Sequence, residues 1–329
     1  MLIRRRRGWE IPERLAPPED VYLNRRTFLR ALGITSLGAV GALAGCDHKA
    51  ESQSAAEPPP PLIGLPTPSA TANLYPAKRN ERFVLDRPLT DEAVAGRYNN
   101  FYEFSFNKQR VCRLVDPFQT RPWQIEVTGL VKKPQTFDID ALVRRMSLEE
   151  RLYRHRCVEA WSMAVPWTGF PVKAFINLVE PLPSAKFMRM VTFNNPEQAV
   201  GMNDDSYPWP YFEGLTMAEA TNELAFFVTG IYGHELTKQH GAPIRLVTPW
   251  KYGYKSIKSI VRVEFLDKQP PTFWSTVVPR EYDFWANVNP AVPHPRWSQA
   301  SERVLGTGER VPTLLYNGYG EFVAELYKT

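Results

Sequence analysis

Proline makes up 30 of the 329 residues, about twice its usual ~5% share, and that abundance limits the folds open to the chain. Each internal proline removes a backbone donor and clashes with the preceding helical turn, so helical bundles and coiled coils are excluded. Apolar material is ample all the same. With 43% of residues hydrophobic and 12% aromatic, there is enough for one sizeable core or at most two modest ones, which rules out a disordered or fibrous chain.

The periodicities point to short strands with scattered helices. Trp123, Ile125 and Val127 alternate with Gln124, Glu126 and Thr128, the period of a half-buried strand. Similar strands are expected at 187–193, 224–229, 243–248 and 259–266, the last placing Val261, Val263 and Phe265 on one face. Helices are expected within 138–145, from the box Ser147-Leu148-Glu149-Glu150, over 171–179 up to Pro181, and from Thr216-Met217-Ala218-Glu219. The whole reads as an α+β domain, a mixed β-sheet with short helices and many loops. No glycine-rich dinucleotide loop, phosphate loop, Cys-x-x-Cys or His-Glu-x-x-His occurs, which removes the commonest nicotinamide, nucleotide and zinc chemistries.

Residues 1–46 read as an address rather than as fold. Arg25-Arg26-Thr27-Phe28-Leu29-Arg30 precedes fifteen uncharged residues, Ala31 to Gly45, four of them glycine. At ~1.5 Å per helical residue such a stretch spans roughly 22 Å, short of a ~30 Å hydrocarbon core, so an export signal is favoured over a membrane anchor. The paired arginines resemble a twin-arginine signal, which delivers folded proteins across the bacterial inner membrane to the periplasm. Leu43-Ala44-Gly45-Cys46 fits either lipoprotein processing at Cys46 or ordinary cleavage. Residues 47–78, rich in Pro, Ala and Ser around Pro58-Pro59-Pro60-Pro61, are expected to form a linker, leaving 79–329 as the folded domain. Of the formal charge of +5, residues 1–46 carry +4. The folded part is thus close to neutral and lacks a field for nucleic-acid phosphates, so no nucleic-acid partner is expected.

Two stretches carry chemistry. The folded part has two cysteines, Cys112 and Cys157, open to three readings: one disulfide, inert buried thiols, or a reactive thiolate. Around Cys157 the sequence Arg154-His155-Arg156-Cys157 favours the last, because adjacent cations lower a thiol pKa and a thiolate is a metal ligand. A lone cysteine holds no iron–sulfur cluster or structural zinc, but it can be the single protein ligand of a metal whose other ligands come from an organic cofactor. Between Arg245 and Val263 lie five cations (Arg245, Lys251, Lys255, Lys258, Arg262) and no carboxylate, interleaved with Trp250, Tyr252, Gly253 and Tyr254. That run is either a solvated face or an anion cradle.

Together, Arg154-x-Arg156-Cys157-x-Glu159-x-Trp161-Ser162-Met163, Pro166-Trp167-x-Gly169-Phe170-Pro171, Gly241-Ala242-Pro243-x-Arg245 and Trp250-Lys251-Tyr252-Gly253-x-Lys255-x-Ile257-Lys258-Ser259 resemble the sulfite-oxidase-type molybdopterin enzymes. Within that family they are most similar to the periplasmic branch that reduces methionine sulfoxide in proteins. The resemblance extends to Asn99-Asn100-Phe101-Tyr102-Glu103-Phe104 and to Ala286-Asn287-Val288-Asn289-Pro290 with His294-Pro295-Arg296-Trp297, covering roughly residues 80–316. It implies Mo-molybdopterin as cofactor, with Cys157 as the catalytic residue that ligates molybdenum. It further implies pterin contacts from Asn99, Tyr102, Glu103 and Thr192, and a phosphate end held by Arg245, Ser256, Ile257 and Lys258. His240 occupies a further contact position, where other members carry asparagine.

The implied activity is oxygen-atom transfer that returns methionine sulfoxide residues of exported proteins to the thioether. This chain has no flavin, nicotinamide or haem-attachment motif, so electrons come from outside; the resemblance implies a haem-bearing integral membrane subunit fed from the quinone pool, and oxidised periplasmic proteins as substrates. Two other classes stay open: a sulfite-oxidising enzyme or other small S- or N-oxide molybdoenzyme, and a non-enzymatic exported β-rich binding lipoprotein, which needs neither molybdenum nor a free Cys157.

Overall fold

The computed structural model describes residues 64, 66 and 69–328, which build two β-sheets joined by short helices and loops. Alternation decides the first sheet. Ile125 and Val127 turn inward from β1 (Gln124–Gly129), which pairs antiparallel with β2 (Gln135–Asp138) and parallel with β10 (Ile260–Leu266). Beyond β10 lie β5 (Phe187–Thr192) and β6 (Phe212–Thr216), both antiparallel, giving the order β2-β1-β10-β5-β6. A bulge between Ile260 and Arg262 shifts the register of β10. Ile260, Val263 and Phe265 are therefore buried while Val261 is only half-buried, a correction to the face expected from strict alternation; a bulged residue is the one displaced from the ladder.

The second sheet centres on a hairpin of β3 (Glu149–Cys157) and β4 (Trp161–Pro171), paired residue for residue from Glu149–Gly169 to Cys157–Trp161. β4 also pairs with β7 (Phe226–Ile231) and β11 (Ser301–Val304). β8 (His234–Glu235) and β9 (Arg245–Val247) extend β7, and β12 (Arg310–Pro312) extends β11. The helix expected from Ser147-Leu148-Glu149-Glu150 is instead the start of β3. Glu149 and Glu150 lie in the ladder and accept from Asn80 Nδ2 and Arg79 Nε, respectively, so cross-element partners override a local capping signal.

Helices are short: α1 (Glu92–Gly96), α2 (Val111–Leu114), α3 (Ile139–Arg145), α4 (Val172–Val179), α5 (Met217–Ala220), α6 (Phe273–Val277) and α7 (Gly320–Val323). α5 carries the full reciprocal cap of Thr216 and Glu219. α4 buries Val172, Phe175, Ile176 and Val179, and Phe175 lies between Phe137 of β2 and Phe227 of β7, so one helix ties both sheets into a common core. Of the stretch expected to be a linker, residues 69–78 lie on the second sheet: Ser69 bonds Glu235 and the Tyr75 hydroxyl donates to Thr229 Oγ1 at 2.7 Å. The signal residues Arg25, Arg26 and Cys46 lie outside the described residues. Among the described residues no helix is long and apolar enough to cross a membrane.

Candidate cofactor pocket and active site

The pocket opens where β3 turns into β4. Val158, Glu159 and Ala160 make a three-residue turn closed by Ala160 N donating to Cys157 O at 3.1 Å, with Ala160 at a left-handed φ of 59°. A hairpin end this tight leaves the Cys157 side chain little freedom. Its thiol lines a partly enclosed cavity. Asn100 Nδ2 donates to Cys157 Sγ at 3.2 Å, and the Glu159 N–H donates to the same sulfur at 3.5 Å.

The arginines expected to acidify the thiol are turned away from it. Strand period two places His155 on the face of Cys157 and the two arginines on the other. Arg154 binds Asp86 and the Asn317 carbonyl, and Arg156 is buried against Glu302, Gln299 and Thr313. Burial pushes the Cys157 thiol up to about 12, and the Glu159 carboxylate adds to the rise. The protein's own charges thus do not give the lowered pKa expected from sequence, whereas a metal ion coordinated at Sγ would stabilise the thiolate. Both Cys157 and Cys112 are free, so the disulfide left open by the sequence is not formed. Cys112 is buried on α2, its sulfur 3.6 Å from Gln109 O.

The cation run divides three ways. Arg262 lies on the surface with Glu126, at 2.6 Å. Lys251 and Lys255 are buried in ion pairs with Glu219 (2.5 Å) and Glu213 (3.1 Å). Arg245 and Lys258 line the cavity and, among the described residues, have no carboxylate within ion-pair distance. Arg245 donates to the carbonyls of His240 (2.9 Å) and Ser256 (3.1 Å), and Lys258 Nζ donates to Asn100 O at 2.7 Å. Burial alone presses the Arg245 guanidinium down to about 9. Desolvation, then the Arg245 charge, also lowers Lys258, with Glu103 as the opposing carboxylate. A buried guanidinium and a half-buried ammonium facing one carboxylate create a field for an anionic ligand.

Nine of the ten residues expected from sequence line this one pocket: Asn99, Tyr102, Glu103, Cys157, His240, Arg245, Ser256, Ile257 and Lys258. Thr192 is set behind the wall. Its hydroxyl lies 2.8 Å from Lys258 O and 3.0 Å from Ser259 O, so it fixes the loop that carries Lys258 into β10. The lining is polar in a way the chain alone does not satisfy. Among the described residues, Asn99 Oδ1 and Asn100 Oδ1 are buried without a hydrogen-bond partner, an arrangement that calls for a ligand with its own donors. His240 holds Thr237 Oγ1 at 2.6 Å through Nδ1. Burial, followed by the Arg245, His234 and Lys258 charges, lowers its pKa to about 3, so the ring is neutral. Two glycines keep the walls close. Gly241, at φ +97°, leaves room for Lys258, and a side chain on Gly253 would strike His155.

Three further residues belong to the site. Glu159 accepts from Tyr102 OH (3.3 Å) and Trp161 Nε1 (3.3 Å), and Lys108 Nζ lies 2.8 Å from its carboxylate. Burial works to raise this carboxyl, but Lys108, Asn100 and Trp161 together hold it below the ordinary value. Glu159 and Asn100 stand inside the motifs that flag Cys157 and Asn99, two residues and one residue away. Lys108 has no sequence signal; only the fold brings it to Glu159.

Known proteins match this arrangement. Residues 113–274 match the model of the oxidoreductase molybdopterin binding domain. The chain is 44% identical, over 98% of its length and 94% of the relative's, to the protein-methionine-sulfoxide reductase catalytic subunit MsrP of Burkholderia mallei (strain ATCC 23344). Among solved structures, the sulfane dehydrogenase SoxCD from Paracoccus pantotrophus is similar at 17% identity with a TM-score of 0.38, over 46% of this chain and 40% of that one. An extended match at this identity, joined to a buried cysteine facing a cationic cavity, places the chain in the molybdopterin-binding oxidoreductase family of protein-methionine-sulfoxide reductase catalytic subunits.

Proposed function

We propose that this protein is a periplasmic reductase of methionine sulfoxide residues in exported proteins, working through Mo-molybdopterin held in the cavity described. The observation that carries the reading is the division of the pocket around Cys157: a deep end with Arg245 and Lys258 lacking an ion-paired carboxylate, and an outer end lined by tyrosine and tryptophan.

The residues fit the cofactor. Arg245, Lys258 and the polar atoms of Ser256 would take its phosphate end, since charge-assisted bonds from buried donors are the strong ones. Asn99, His240, Tyr102 and Glu103 would meet the pterin, and Cys157 would ligate molybdenum as thiolate. Bound there, the cofactor supplies two-electron oxygen-atom-transfer chemistry. The protein's own part is positional and electrostatic. Asn100 and the Glu159 amide donate to Sγ and so orient and stabilise a thiolate. The Glu159–Lys108 pair keeps the outer end without net charge, which suits a neutral sulfoxide better than anionic sulfite. Reduction of a sulfoxide to thioether and water consumes two electrons and two protons.

The relative's name marks it as one subunit of an assembly, and a haem-bearing integral membrane subunit drawing on quinones is the electron donor proposed here. Arg25-Arg26 then serves twin-arginine export of the folded, metal-loaded protein, and Cys46 is either the lipidated first residue of the mature chain or the end of the removed signal. The test is turnover of a peptide methionine sulfoxide by protein from a molybdopterin-competent host, with a reduced dye as donor. Stoichiometric molybdenum and loss of turnover in Cys157→Ser are expected, because a hydroxyl is a harder and less acidic ligand. Full turnover in the serine variant, or sulfite oxidation faster than sulfoxide reduction, overturns the reading. Arg25-Arg26→Lys-Lys should strand loaded protein in the cytoplasm.

A further inference from the structure

The outer half of the pocket contains a connected set of rings, of which only Tyr102 is assigned to the pterin. Tyr102, whose hydroxyl reaches Glu159 beside Cys157, meets Trp274 edge-on at 5.4 Å. Trp274 meets Tyr282 at 5.3 Å, and Tyr282 meets Tyr254 at 5.3 Å. All four line the cavity and all are half-buried, whereas Cys157, His240, Arg245 and Ser256 are buried. The rings therefore belong to the solvent-accessible part of the lining. They are also held in place. Phe273, next to Trp274 on α6, is fully buried and stacks on Tyr211 at 4.5 Å, and the Thr272–Ser275 box caps that helix. Tyr282 is backed by His294 at 5.5 Å.

We propose that Trp274 and Tyr282, together with Tyr102, form an aromatic collar that grips the S-methyl group and side-chain stem of methionine sulfoxide, and that Trp274 and Tyr282 determine specificity for this side chain. This rests on the function proposed above. The sulfur of a sulfoxide carries partial positive charge and polarises its methyl hydrogens, which are attracted to the negative face of an aromatic ring as a weak analogue of a cation. The product thioether keeps a favourable sulfur–ring contact, and the methylene stem buries apolar area against the same rings. A small sulfoxide such as dimethyl sulfoxide has no stem and gains less. An anion gains nothing from the negative ring faces.

The experiment compares KM and kcat for a short peptide containing one methionine sulfoxide and for dimethyl sulfoxide, using molybdenum-loaded wild type, Trp274→Leu, Tyr282→Leu and Tyr282→Phe. Molybdenum content and melting temperature verify that each variant is folded and loaded. Each leucine variant should raise the peptide KM about 3–10-fold, the range expected for losing one or two sulfur–ring and methyl–ring contacts, with a smaller change in kcat and in the KM for dimethyl sulfoxide. Tyr282→Phe, which keeps the ring, should rise by less than half as much. Unchanged peptide KM in both leucine variants overturns the collar, and so does an equal rise in Tyr282→Phe and Tyr282→Leu. Wild type that reduces neither sulfoxide overturns the function on which the collar rests, whereas active wild type with unaltered leucine variants overturns the collar alone.

Discussion

Lys255 and Arg245 come from the same run of cations, ten residues apart, and both are buried, yet the molecule treats them differently. The Lys255 ammonium lies 3.1 Å from Glu213 and 2.5 Å from Phe284 O, and neighbouring Lys251 has Glu219, Asn287 and Tyr327 around it. Their charge is cancelled within the chain. Arg245 is satisfied only by carbonyl oxygens and the face of Trp167, 5.0 Å away. Hydrogen bonds to carbonyls orient a guanidinium without neutralising it, so its charge remains available to the cavity. A buried cation that has its own carboxylate is architecture; one that lacks it is half of a binding site.

The comparison breaks most readily at Lys255. Lys255→Ala leaves Glu213 buried without its cation, and burial already holds that carboxyl above the ordinary value. Removing one partner of a buried pair costs about 3–5 kcal/mol, readable as a lower urea midpoint at unchanged slope. The double change Lys255→Met with Glu213→Leu should recover most of the loss, because no charge is stranded. A cost below about 1 kcal/mol for the single change would remove the distinction between the two kinds of cation, since a surface substitution costs no more.

Arg245→Ala should show the opposite balance. It strands no carboxylate, so the cofactor-free chain loses less, about 1–3 kcal/mol from unsatisfied carbonyls. The larger consequence is for the anion. Losing a charge-assisted bond of about 1.5–3 kcal/mol corresponds to roughly a 10- to 150-fold weaker hold on the cofactor, so molybdenum per folded chain falls when cofactor supply is limiting. Equal molybdenum content in variant and wild type under matched expression would return Arg245 to a structural role.

Much of this was legible in the sequence, and the failures share a cause. β1, β5, β7 and β10 showed themselves by alternation or short apolar runs, and α3 and α4 by their bounds, because those signals are local. The start of β3 reads as a helix start because Glu149 and Glu150 imitate a capping box, while their partners Asn80 and Arg79 are visible only once the chain is folded. β4 is buried from Trp161 to Phe170 with prolines at 166 and 171, so it has no period to detect. The motifs gave Cys157 and Arg245 correctly, since resemblance does not depend on local pattern. Which cations would be neutralised stayed hidden, because Glu213 and Glu219 lie more than thirty residues upstream of the lysines they meet. The thiol's environment was misjudged for a related reason: adjacency in sequence along a strand places neighbours on opposite faces.

The same uncompensated charge affects the two histidines near it, and that gives the smallest and most specific test. Burial, then the charges of Arg245, His234 and Lys258, brings His240 down to about 3, and His155 is pushed well below its ordinary value by burial and by Arg245, Lys258 and His240. Both pKa values are depressed on folding, so the unfolded chain takes up protons first. The stability contributed by each neutral ring is complete above pH 6.5 and is lost as pH falls toward the folded value, at about 1 kcal/mol per histidine between pH 6.5 and 5.5. Asparagine at 240 does not titrate, so His240→Asn should roughly halve the loss of urea stability over that interval while leaving the value at pH 8 changed by less. If wild type and His240→Asn lose stability in parallel from pH 6.5 to 5.5, the cavity does not hold His240 neutral, and the unneutralised field assigned to Arg245 and Lys258 is weaker than their lack of carboxylates indicates.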